Sequence, residues 1–167
     1  MKQNWKIFET IISGVQIILG LLILSVIAIT IWEYYSILWI NPLIDHKSIL
    51  ELSFKKNYIL FTVSIISIFS GFLLIKNSIK GWILSIITWT MYIILFVFSF
   101  YRISLNESSQ LNLNSKIIMY IVVIAFVAIL VVLNNSEFKQ KYKPTNENWL
   151  IITSIIVILT LAKFVYS

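Results

Sequence analysis

The sequence predicts an all-α fold, a polytopic transmembrane helical bundle, on three observations. The chain is 59% hydrophobic and 12% charged over 167 residues, and its mean hydropathy is +0.93. A soluble domain of that size has too little interior for so much apolar surface. Five stretches, 10–32, 58–75, 82–100, 117–133 and 149–166, approach the ~20 apolar residues that a helix needs to cross a hydrocarbon core of about 30 Å. The charged residues collect between these stretches and at their ends. What is left over is short loop, so residues 1–167 are read as one integral-membrane helical domain.

The first span follows Lys2 and Lys6 and resembles a signal peptide at its start. Its apolar run continues to Trp32, past Val26-Ile27-Ala28, and outlasts the ~7–15-residue apolar region of a cleaved leader. A retained signal-anchor helix is expected. The aromatic segment from Tyr34 to Ile40 reads as an interfacial continuation that stops before Asn41-Pro42. Residues 41–57 carry Asp45, His46, Lys47, Glu51, Lys55 and Lys56 and are expected to be the longest polar loop. Span two ends at Lys76, and 76–81 reads as a tight basic turn into span three, which opens at Trp82 and ends near Tyr101-Arg102. A Ser/Asn/Gln-rich loop containing Glu107 leads to span four, which ends at Asn134-Asn135. The basic linker Lys139-Gln140-Lys141-Tyr142-Lys143-Pro144 then leads to span five. Loops this short predict that successive helices pack as antiparallel neighbours.

Orientation follows from charge and from aromatic anchors. A cytoplasmic N-terminus puts Lys2, Lys6, Lys76, Lys80, Lys139, Lys141 and Lys143 inside, against Lys47, Lys55, Lys56, Arg102, Lys116 and Lys163 outside. The inside loops are shorter and more densely basic, which favours N-inside and C-outside. Trp5, Trp82 and Trp149 each open an odd-numbered span, and they are expected to be interfacial anchors at headgroup level. The composition, rich in Ile, Asn, Lys and Phe, fits a low-GC source, and the expected location is a bacterial inner membrane. The net charge of +6 is read as membrane-flanking charge facing lipid headgroups, with no nucleic-acid partner.

The chemistry is mostly exclusion. There is no cysteine, so there is no disulfide, thiolate nucleophile or thiolate metal site. His46 is the only histidine, and neither a catalytic zinc site nor a bis-histidine haem can be assembled from it alone. The central parts of the spans carry no ionisable residue, which removes the usual carriers of proton coupling and voltage sensing. No catalytic, cofactor or metal site is expected, and the chain is not expected to be an enzyme.

Two polar stripes remain. Glu9, Ser13, Gln16 and Gly20 share a helical face, as do Ser64, Ser67, Ser70 and Gly71. Ser13, Gln16, Gly20, Ser64, Ser67 and Gly71 are therefore expected to be helix-packing or partner-contact residues. The leading expectation is an accessory or scaffolding subunit of a larger membrane complex, such as a translocon, transporter or respiratory assembly. Its partners would be membrane lipids and other membrane subunits. A small-molecule or lipid carrier is an alternative that requires a cavity between spans one and two. An immunity protein that blocks a membrane-active toxin through residues 33–57 is another.

Overall fold

A computed structural model describes residues 3–40, 46–105 and 113–165, with side chains over 5–36, 57–103 and 113–165. Six helices follow in order: α1 Gln3–Ile40, α2 His46–Ile75, α3 Ile79–Leu105, α4 Leu113–Leu133, α5 Ser136–Tyr142 and α6 Asn146–Val165. All except α5 are long and apolar enough to cross a membrane, over Trp5–Ser36, Asn57–Ile75, Ile79–Ile103, Leu113–Leu133 and Asn146–Val165. The described residues form an all-α bundle.

The aromatic segment from Tyr34 to Ile40 continues α1, as expected, and with no Gly or Pro in it the helix runs for 38 residues in all. The start of α2 departs from the hydropathy reading. The polar segment after His46, expected as loop, is the first part of α2. Glu, Lys and Leu are good helix formers whatever their polarity. The side chains of His46, Lys47, Glu51, Lys55 and Lys56, and all of Asn41-Pro42, Asp45 and Glu107, lie outside the described residues.

The turn between α2 and α3 is tighter than a basic loop. Asn77 adopts the left-handed conformation (φ 56°), with Ser78 N–H donating to Leu73 O at 3.0 Å and Asn77 N–H to Leu74 O at 2.9 Å. This paired arrangement satisfies the last carbonyls of α2. A Cβ at Gly81 would run into the backbone of Leu73 and Leu74, so the start of α3 lies directly on the end of α2.

The basic linker contains the sixth helix. The Asn135 side chain accepts from Glu137 N–H at 3.2 Å and caps α5. Lys143, left-handed with φ 45°, ends it by donating its N–H to Lys139 O, and Pro144 prevents continuation.

Packing centres on α3. Trp82, Ile86, Ile87, Trp89, Met91, Tyr92 and Leu95 are all buried. α1 lies along α2, α2 along α3, and α4 along α3, which matches the expected neighbour order. The last span does not follow it. α6 packs chiefly on α3, with a smaller contact to α2 that includes Tyr58 Oη donating to Ala162 O at 2.9 Å. The cause is α5, which carries the chain across one end of the bundle, past Trp82, before α6 starts back.

Candidate functional site

The two polar stripes meet. Glu9, Ser13, Gln16 and Gly20 of α1, and Ser64, Ser67, Ser70 and Gly71 of α2, are all buried. Ser67 Oγ donates to Gln16 O at 2.8 Å, Gln16 Nε2 donates to Ser70 Oγ, and Ser70 Oγ donates to Ser67 O at 2.9 Å. Ser13 and Ser64 return their hydroxyl protons to their own helices, at Glu9 O and Leu60 O.

Glycine makes this crossing close. A Cβ at Gly20 would sit 2.8 Å from Ser64 O and 2.7 Å from Ile68 Cγ1; at Gly71 it would sit 2.9 Å from Ser13 O and 2.6 Å from Ile17 Cγ1. The seam is therefore backbone against backbone, with hydroxyls and one amide bonding across it. The carrier alternative required an opening here, and the two glycines leave no width for one at this level. Gly71→Val is expected to force the helices apart and lose about 1–3 kcal/mol, the usual range for overpacking, in equilibrium unfolding from bicelles. Gly14, whose Cβ would meet nothing within 4 Å, should accept alanine without loss.

A second cluster closes the end of the bundle where α1 begins. Trp82 is fully buried, and its Nε1 donates to Leu133 O at 2.9 Å, taking up a terminal carbonyl of α4. Its ring meets Trp149 edge-on at 5.5 Å and stacks on Tyr142 at 6.2 Å. Trp5 meets Phe138 edge-on at 5.8 Å. The expectation of three interfacial anchors is corrected for Trp82, which anchors to protein. The close approach at Gly81 draws the next residue inside, and hydropathy does not register this. Trp5 and Trp149 are partly exposed.

The charged part of this cluster was not foreseen. The Glu9 carboxylate is 4% exposed and forms an ion pair with Lys141 Nζ. Its other oxygen accepts from Tyr142 Oη. Lys141 Nζ also donates to Asn77 Oδ1 and lies 4.9 Å from the centre of the Tyr142 ring. One carboxylate thus ties α5 to the start of α1, and its lysine partner reaches the α2–α3 turn. Lys141 is not the solvated loop charge that the linker suggested. The signal available in the sequence was the cap-and-spacing pattern Asn135-Ser136-Glu137, followed by Phe138 and Tyr142 four residues apart.

Burial raises the Tyr142 hydroxyl above the ordinary tyrosine pKa, and the hydrogen bond to Glu9 and then its negative charge add to the shift. A group whose folded pKa is raised contributes stability below its unfolded pKa, near 10, and loses it as pH rises further. The tyrosinate absorbance of the folded protein is therefore expected to lack the Tyr142 component at pH 11, and stability should fall from about pH 10 upward. Tyr142→Phe should remove that part of the pH dependence.

Among the described residues, no three His, Asp or Glu side chains gather where a metal ion could be held. Comparison with protein-family models, with curated proteins and with solved structures finds no match.

Proposed function

We propose that this chain is a non-catalytic, multi-pass membrane protein that serves as an accessory or scaffolding subunit of a larger membrane assembly. The observation that carries the reading is how little of the bundle is enclosed. Half of the α3 span is buried, but only 6% of the α4 span and 6% of the α6 span are, and 17% of α1. α1 and α4 each rest mainly on one neighbour. The polar groups of α1 and α2 that sequence alone offered to a partner are used within the chain, so the partner surface moves to the open apolar faces. Ile118, Ile121, Ile124 and Val131 of α4 are all exposed. Lipid gives such faces no hydrophobic drive to associate, so a partner would hold them by shape-complementary van der Waals packing.

The membrane is taken to be a bacterial inner membrane with the N-terminus cytoplasmic. The ion pair of Glu9 with Lys141 brings the start of α1, the α2–α3 turn and α5 to one end. Lys6, Lys76, Lys80, Lys139 and Lys143 are exposed there, which supports that end as the basic, cytoplasmic one. Trp32, Tyr34, Tyr35 and Tyr101 are exposed at the opposite end, at the level where aromatic side chains favour the lipid interface.

The test is purification of tagged protein from native membranes in a mild detergent, with mass spectrometry of what co-elutes. A stoichiometric set of membrane proteins is the expected result. Photo-crosslinking from Ile124 should then reach one of them. A lone monomer with no crosslinked partner would overturn the proposal.

A further inference from the structure

We infer that the polar groups buried along α3, and those of α1 that face it, bind ordered water at two neighbouring positions. One lies between Gln16 and Tyr92 beside Ser67, and the other between Ser85 and Trp89 one turn along α3. Gln16, Ser85 and Trp89 are fully buried and Tyr92 is 4% exposed. Gln16 Oε1, Ser85 Oγ, Trp89 Nε1 and Tyr92 Oη have no hydrogen-bond partner within the protein. Buried polar atoms are nearly always paired, with protein or with water.

The four belong to connected surroundings. Positions 85, 89 and 92 share one face of α3, and the rings of Trp89 and Tyr92 are 6.0 Å apart. The Tyr92 phenol faces the Ser64 and Ser67 hydroxyls of α2, whose own protons go to Leu60 O and Gln16 O.

The chemistry selects water over other ligands. The set comprises an amide oxygen that only accepts, an indole N–H that only donates, and two hydroxyls that do both. Water supplies both roles at once and needs two to four such partners. None of the four groups is charged, so an ion would give up its hydration without compensation. The close approach at Gly20 and Gly71 denies entry to a larger organic molecule between α1 and α2.

The test uses the wild-type chain labelled with nitrogen-15 in its indoles, in lipid nanodiscs. Magnetisation transfer from water to each indole proton is measured. Trp82 is the internal control, because it is equally buried and its Nε1 donates to Leu133 O. The Trp89 signal is assigned by its loss in Trp89→Phe or, if that chain does not fold, by its proximity to the Phe126 ring, 5.2 Å away between centroids. The expected result is a water cross-peak at Trp89 and none at Trp82. A Trp89 indole as silent as that of Trp82 overturns the inference.

Discussion

Lys141→Met is expected to be among the most damaging single substitutions in this protein, losing about 3–5 kcal/mol in equilibrium unfolding from bicelles or mild detergent. The reason is the charge left behind. The Glu9 carboxylate sits at 4% exposure, and without Lys141 its charge is held only by the Tyr142 hydroxyl. A buried ion pair contributes little net stability when compared with an apolar pair, yet removing one member leaves the other uncompensated. The control separates these two statements. The double variant Glu9→Gln with Lys141→Met keeps an acceptor for Tyr142 and removes both charges, so it should recover most of the loss. If the double variant is as unstable as the single one, Lys141 acts through its stem and its bond to Asn77, and the ion-pair account fails.

Trp82→Ala is expected to lose about 3–5 kcal/mol, the range for removing a large buried aromatic side chain. Three contacts go together: the edge-on contact to Trp149, the stack on Tyr142 and the hydrogen bond to Leu133 O. Trp82→Phe keeps an aromatic ring but removes the hydrogen bond and leaves Leu133 O without its donor, so it should lose about 1–3 kcal/mol. Because Trp82 lies between α4, α5 and α6, the alanine variant should also free the linker, read as faster tryptic cleavage after Lys139 or Lys141. Trp5→Ala, at a partly exposed position, should do less on both counts. Equal effects at Trp5 and Trp82 would mean that Trp82 is an ordinary lipid-interface residue after all.

These residues show how far the chain could be read without coordinates. The spans were legible because hydropathy reports the need to bury apolar surface, and that need is the same for every helix in lipid. The α1–α2 seam was legible because small and polar residues at helical spacing have few uses inside an apolar bundle. The register that sets Gly20 against Ser64, and Gly71 against Ser13, is a pairwise property that neither stripe carries alone. Helix ends were lost where polar residues continue a helix, as after His46. The end cluster was lost because charge was read by position in the chain. Lys141 follows Lys139 in the same linker, yet one pairs with Glu9 and the other lies 5.6 Å from the Trp149 ring centre. The difference comes from α5, whose turn points alternate residues in opposite directions. Span five was placed beside span four for the same reason, since a seven-residue helix was counted as loop.

The path of α5 across the bundle end also dictates an order of assembly. Chains leave the ribosome N-terminus first, so α1 to α4 are made while one side of α3 still waits for its neighbour. That side is filled only when α6 arrives, from beyond α5 rather than from beside α4. A chain that stalls before Asn146 would leave that flank of α3 uncovered. α6 thus works as a clasp on the flank of α3 that α1, α2 and α4 leave open.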